Sequence, residues 1–151
     1  MNILVDCGAH DGENFSWFFN RNKNPSDCRI FGFEPNPEKE FTENNFIKVE
    51  RKAVSNKNGT KKFYIMEKSV QSSLYRKKNG IVKKIVEVEC IDLAEWFKKN
   101  MNKEDNIFLK LDVEGEEYKI LPKLIKEGIL EDYVNEMYVE LHNKKIRNEN
   151  I

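Results

Sequence analysis

Several short segments of this chain carry residue types that could bind a ligand or do chemistry on it. The first is Val5-Asp6-Cys7-Gly8-Ala9-His10-Asp11-Gly12. Its glycines stand in a Gly-x-x-x-Gly spacing, which lets the backbone turn tightly and approach a ligand closely. A dinucleotide-binding loop needs Gly-x-Gly-x-x-Gly instead. A pyrophosphate would be repelled by Asp6 and Asp11, whereas a cationic sulfonium carrying an ammonium group would be attracted by them. The alternative is a plain strand-to-helix turn capped by Asp11.

The second segment centres on Glu34. A carboxylate at the tip of a strand can accept hydrogen bonds from both hydroxyls of a ribose; otherwise it is a charge interacting with a helix N-terminus. The third runs Phe108-Leu109-Lys110-Leu111-Asp112-Val113-Glu114-Gly115. Strand alternation puts Lys110, Asp112 and Glu114 on one face. A lysine inside a buried strand is costly unless paired, and Asp112 or Glu140 is the expected partner. Lys110 then reads as an ion pair at the sheet, while Asp112 and Glu114 face a ligand. The fourth is Tyr138-Val139-Glu140-Leu141-His142. If its strand neighbours the third segment, Asp112, Glu114, Glu140 and His142 converge. His142 then becomes a candidate general base, beside the plainer reading of a structural histidine. The same set could hold Mg²⁺ or Mn²⁺; the preferred assignment includes no metal.

The elements between these segments must position them. Ile3-Leu4-Val5 is a buried strand ending at Gly8. A helix over Glu13 to Asn22 gathers Phe15, Phe18 and Phe19 on one side. Ile30 to Phe33 is a second strand, and Pro37 opens a helix toward Asn44. Phe46 to Val54 is a third strand, Asn58-Gly59 a hairpin turn, and Lys62 to Met66 the returning strand. Glu67 to Lys84 is a long polar loop, followed by a strand over Ile85 to Cys90. Asp92 caps a helix through Asn100 with Leu93, Trp96 and Phe97 inward. Ile107 to Val113 is a strand. Gly115 opens a helix that Pro122 bends or divides and that ends near Gly128. Glu136 to Leu141 is the last strand, and the tail from Asn143 is polar and frayed. Strands alternating with helices predict an α/β fold with a mostly parallel central sheet and an inserted β-hairpin. Ligands in such sheets bind beyond the carboxyl ends of the strands, which points to residues 6–12, 34–36, 53–55, 112–116 and 140–142.

Composition narrows the functional classes. The chain of 151 residues suits a single domain over 1–151. Lys plus Arg and Asp plus Glu both number 26, so nothing predicts nucleic-acid binding through phosphates. The local basic run Lys77, Lys78, Lys83, Lys84 reads as a solvated loop. No apolar run is long enough for a membrane span. The apolar start, Asn2 to Cys7, lacks the flanks of a signal peptide. Three scattered cysteines, Cys7, Cys28 and Cys90, form no Cys-x-x-Cys pair and fit a reduced, cytoplasmic chain.

Taken in order, these segments resemble the FkbM family of S-adenosylmethionine-dependent methyltransferases. The match runs through Val5–Gly12, Phe33-Glu34-Pro35-Asn36-Pro37, Ala53-Val54-Ser55 with Asn58-Gly59, and Ser72-Ser73-Leu74. It continues through Ile91-Asp92-Leu93, Leu109-Lys110-Leu111-Asp112-Val113-Glu114-Gly115-Glu116-Glu117, and Val139-Glu140-Leu141-His142. The resemblance implies a Rossmann-like class I methyltransferase fold and O-methylation, often of sugar hydroxyls on glycans. It implies that Asp6, Gly8, Ala9, His10 and Gly12 surround the methionine part of S-adenosylmethionine. Glu34 would hold the ribose, with Pro35, Asn36, Ala53 and Val54 near ribose or adenine, and Asp112 also at the cofactor. His10 stands where the family commonly has Asn. The family fold usually continues with further strands, so the expectation here is a fold lacking the last ones.

The expected chemistry is attack of a sugar hydroxyl on the cofactor methyl, with His142 or Asp112 as base, then Glu114, and Lys110 in the same cluster. A nicotinamide-dependent oxidoreductase is the first rival, and the third glycine it needs is absent. The second rival is a non-catalytic module that binds the cofactor or serves as a partner subunit. The hydroxyl acceptor is what the resemblance implies, and an oligomer is allowed.

Overall fold

A computed structural model describes residues 1–76 and 79–142. Lys77, Lys78 and the tail from Asn143 lie outside the described residues. Five strands form the central sheet: β1 (Asn2–Cys7), β2 (Cys28–Phe33), β3 (Ile47–Glu50), β7 (Asn106–Leu111) and β8 (Val134–Val139). Their order is β3-β2-β1-β7-β8, and every pairing is parallel. The strand order reverses between β1 and β7, which is where such sheets open a ligand crevice. A second sheet, of order β4-β6-β5, is built from β4 (Ala53–Ser55), β5 (Gly59–Met66) and β6 (Val82–Asp92). This is the Rossmann-like layout expected.

Alternation along the strands divides the core between two faces. Ile3, Val5, Cys7, Ile107, Leu109 and Leu111 pack on one side. There they meet α2 (Leu93–Asn100), α3 (Glu117–Lys126) and α4 (Ile129–Tyr133) through Leu93, Phe97, Ile120, Leu124 and Ile129. Leu4 and Ile30 face the other way, onto Phe15 and Phe18 of α1 (Glu13–Arg21). Asp92 caps α2, accepting from the backbone N–H of Ala94 at 3.0 Å and Glu95 at 3.2 Å. Pro122 lies inside α3 without dividing it.

Three expectations are corrected. Pro37 opens no helix. Asn36 captures the turn instead, its Oδ1 accepting from Glu38 N at 3.0 Å and its carbonyl from Lys39 N at 3.2 Å. Further on, the side chains of Asn44 and Glu43 accept from the backbone N–H groups of Ile47 and Val49, which ties them to β3 in competition with a helix. Second, the run from Phe46 to Val54 is two strands, because it breaks at Arg51-Lys52 and its halves join different sheets. Third, Asn58-Gly59 does not fold β5 back onto β4. Both pair with β6, in parallel for β4 and antiparallel for β5, so the inserted hairpin is β5–β6. Asn58 serves instead by accepting from Asp92 N through Oδ1 at 2.8 Å. Among the described residues, no helix is long and apolar enough to cross a membrane.

Candidate active site

The carboxyl ends of β1, β2 and β7 open into a hollow of about 310 Å³, roofed by the segment 69–74 from the second sheet. Of the residues singled out in the sequence, Gly8, His10, Glu34, Pro35, Ala53, Val54, Lys110, Asp112 and Glu114 line it. Ala9, Asn36 and Asp6 are buried behind it, at 1%, 1% and 0% exposure. Gly12 starts α1 from a left-handed φ of 71°.

The first loop must pass close to the end of β7. Gly8 has φ 86°, and a Cβ there would stand 2.0 Å from the carbonyl oxygen of Asp112. Only glycine meets both demands. Asp11 caps no helix. It accepts from Lys39 Nζ at 2.9 Å and pairs with His10 Nδ1 at 2.8 Å. Ser69 Oγ lies 3.3 Å from both His10 Nε2 and Lys39 Nζ, which ties the roof to this loop.

Glu34 is preset by the backbone. Its Oε2 accepts from His10 N at 2.8 Å and its Oε1 from Asn36 N at 2.9 Å. Burial raises its pKa against the pull of those two donors. Each oxygen keeps acceptor capacity for a ligand. Beside it, Asn36 Nδ2 is buried with no hydrogen-bond partner among the described residues, a donor of the kind that a bound molecule satisfies.

Lys110 pairs chiefly with Asp6, not with Asp112 or Glu140. Its Nζ is 2.9 Å from Asp6 Oδ1 and 3.0 Å from the Gly8 carbonyl, but 3.8 Å from Asp112. Burial works against the lysine's charge, but Asp6 outweighs it and holds the pKa above the ordinary value. Asp6 therefore sits beneath the glycine loop as the counter-ion of Lys110.

Beyond the ends of β7 and β8, the carboxylates gather around His142. Its Nδ1 bonds Glu117 at 3.0 Å, while its Nε2 faces Glu140 at 3.2 Å, Glu114 at 3.5 Å and Asp112 at 3.6 Å. His142 is only 3% exposed. Burial disfavours its charged form, but Glu117, Glu114 and Asp112 prevail and raise its pKa. Asp112 forms the pocket wall in front of it, with a pKa raised by burial and by Glu140 and Glu114 against the pull of Lys110 and His142. Ligand atoms of Asp112, Glu117 and His142 lie within 4.8 Å of one another. That oxygen-and-imidazole set could also hold a divalent cation.

Sequence reasoning missed the supports of this cluster. Glu117, fully buried, accepts from Val113 N at 2.9 Å and Gly115 N at 2.7 Å, and so shapes the loop that carries Asp112 and Glu114. Glu116, also buried, takes bonds from Ser55, from Lys61 Nζ at 2.7 Å and from Tyr75 OH at 2.7 Å. Burial opposes that carboxylate, yet these donors hold its pKa below the usual range. Ser73 Oγ donates to the Glu114 carbonyl at 2.7 Å, and so fastens the roof to the same loop. The signal for Glu116 and Glu117 was two adjacent acids at a helix start, a pattern usually met on exposed first turns.

The chain matches the family described as Methyltransferase FkbM domain over residues 6–149. Comparison with curated proteins returns no match, and neither does comparison with solved structures.

Proposed function

The chain belongs to the FkbM methyltransferase domain family, and from that premise we propose that it methylates a sugar hydroxyl with S-adenosylmethionine. One observation carries this reading. Glu34, with both oxygens aimed by backbone donors, and Asp112, with its raised pKa, line one hollow at the reversal of strand order. The residues fit the cofactor. Glu34 matches a ribose diol, the donor of Asn36 lies beside it, and Asp112, Glu114 and Glu140 offer negative charge to a cation.

Bound S-adenosylmethionine would supply the electrophilic methyl group, carried on a cationic sulfur that would keep the bonding pair as the methyl leaves. Glu34 holds the ribose hydroxyls. Asp112 accepts the proton of the acceptor hydroxyl, which its raised pKa favours. His142 stands behind it as a positioning residue. Its Nε2 faces Asp112 at 3.6 Å and Glu140 at 3.2 Å from behind the pocket wall. Glu117 fixes the ring through Nδ1. The segment 69–74 covers one side of the hollow. We place the reaction in the cytoplasm, where the unpaired cysteines Cys7, Cys28 and Cys90 would stay reduced.

The test is calorimetric titration with S-adenosylmethionine, its demethylated product and NAD, followed by methyl transfer to a panel of glycosides. Micromolar binding of the sulfonium pair without NAD is expected, with turnover on a sugar. Asp112→Asn should cut turnover by roughly 10²-fold or more and change cofactor affinity far less. Binding without turnover on any glycoside would assign the chain to a cofactor-binding partner subunit, and binding of NAD alone would refute the reading.

A further inference from the structure

A second hollow, of about 350 Å³, opens on the α1 face of the sheet. It shares Glu13, Lys110, Asp112 and Glu140 with the first hollow. The two chambers therefore meet at Asp112, the carboxylate assigned to proton transfer, with Glu13, Lys110 and Glu140 beside it. The floor of the second is aromatic. Trp17 is 46% exposed and Tyr138 51% exposed, with Phe108 between them in the lining. Glu13 and Trp17 are four residues apart on α1 and so share a helix face. Tyr138 stands in register with Lys110 across β7 and β8.

We propose that this second hollow is the acceptor subsite and takes an uncharged pyranose ring stacked on Trp17 and Tyr138. The inference rests on the sugar-methylation reading above. Half-exposed aromatic rings beside polar groups suit a sugar, whose C–H face is apolar and whose rim carries hydroxyls. Asn14 and Glu140 stand at that rim. Lys110 and Arg21 are already paired with Asp6 and Glu136, so Glu13, Asp112 and Glu140 leave the hollow negative and would repel a phosphorylated acceptor, which makes the class neutral. Trp17 is held ready. The Arg21 guanidinium lies 5.0 Å over its ring and is itself tied to Glu136 at 2.9 and 3.1 Å, and Phe108 meets the ring edge-on at 5.3 Å. A ring so fixed loses little freedom when a ligand stacks on it. A hydroxyl of a sugar seated there faces Asp112 at the wall between the chambers.

Heteronuclear NMR on the whole chain tests this, because the two indoles report separately. Trp96 is 8% exposed and donates to Glu50 at 3.2 Å, whereas Trp17 is open. The probes are methyl hexopyranosides and methyl 6-deoxyhexopyranosides, with a hexose phosphate as the charged control. The expected result is a saturable shift of the Trp17 indole signal by a neutral glycoside, with Trp96 unmoved and the phosphate inert. Tyr138→Ala should weaken that binding roughly tenfold, the scale of one stacked ring. Trp17→Phe, read from saturation transfer to the sugar protons, should retain it. The subsite is overturned if no neutral glycoside moves Trp17 with the demethylated cofactor present, or if Tyr138→Ala leaves affinity unchanged. Cofactor binding is scored in the same samples. A chain that binds the demethylated product but no glycoside loses the subsite and keeps the cofactor assignment; one that binds glycosides at Trp17 but no cofactor does the reverse.

Discussion

Glu117→Gln should loosen the loop that carries Asp112 and Glu114, although Glu117 touches neither hollow. In the wild type one carboxylate serves three donors: Val113 N and His142 Nδ1 at Oε1, and Gly115 N at Oε2. Glutamine has a single oxygen. Turned to keep Val113 and His142, it sets an amide N–H₂ against the Gly115 N–H and leaves that buried donor unpaired. The lost partner costs about 1–3 kcal/mol. Weakening the charge-assisted bonds to neutral ones adds roughly 1 kcal/mol. For a domain of this size each kcal/mol moves Tm by about 2–4 °C, so a fall of about 4–16 °C is expected at neutral pH. The pH dependence should change too. The pKa of His142 is raised in the fold, so its contribution is fully present below about pH 6.5 and is lost as pH rises through the folded value. The groups facing its ring are Glu117, Glu114, Asp112 and Glu140, and glutamine removes the nearest charge. Thermal unfolding followed by circular dichroism at about pH 6, 7, 8 and 9 should show the wild type losing stability more steeply than the variant. Equal Tm values with parallel pH profiles would refute the assignment of Glu117 as the pin of this loop.

Two further outcomes follow from the same accounting. Glu34→Gln must face an amide N–H₂ toward either His10 N or Asn36 N, which costs about 1–3 kcal/mol. It should also abolish most of the rise in Tm that the demethylated cofactor produces, a rise of about 2.7 kcal/mol equivalent at a hundredfold excess over Kd. An unchanged rise, measured by thermal shift, would remove Glu34 from the cofactor site. Lys110→Ala leaves Asp6 buried without its cation and should destabilise by about 3–5 kcal/mol. The double variant with Asp6→Asn should recover most of that, and urea unfolding reads the difference; no recovery would mean that Lys110 acts through other contacts.

The site was legible where chemistry and strand ends coincide. Gly8, Glu34 and Asp112 stand at the carboxyl ends of β1, β2 and β7, where a parallel sheet exposes its ligand edge. The apolar triplets before them mark those strands plainly. Partners were less legible, because spacing within a strand does not say which strand lies beside it. Strand alternation points Lys110 to carboxylates on its own or the last segment, yet its partner is Asp6 on β1, 104 residues away in sequence. The register that sets Asp6 opposite Lys110 exists only once β1 and β7 pair. Glu116 and Glu117 were hidden for a related reason. Adjacent acids at a helix start normally face water, whereas Glu116 meets Ser55, Lys61 and Tyr75, distant in sequence, and Glu117 meets the 113–115 backbone and His142.

The split of the run from Phe46 to Val54 makes the same point about the fold. Arg51 and Lys52 interrupt the apolar alternation, and a continuous strand would have to carry them across the sheet. Instead the chain leaves the first sheet after Glu50, whose carbonyl still accepts from Glu34 N at 3.1 Å. It then re-enters order at Ala53, beside Cys90 of β6. Ending in Ser55 brings β4 to the buried Glu116, and β5 delivers Lys61 to the same carboxylate. A buried carboxylate left without donors is costly, so Glu116 favours the arrangement in which both strands flank β6 and both donors reach it. A simple β4–β5 hairpin turning at Asn58-Gly59 would satisfy the local turn preference and forgo the β6 pairings of both strands. The long-range pairings and the buried carboxylate outweigh that preference, and with them Ala53 and Val54 come to line the hollow where the cofactor is proposed to lie.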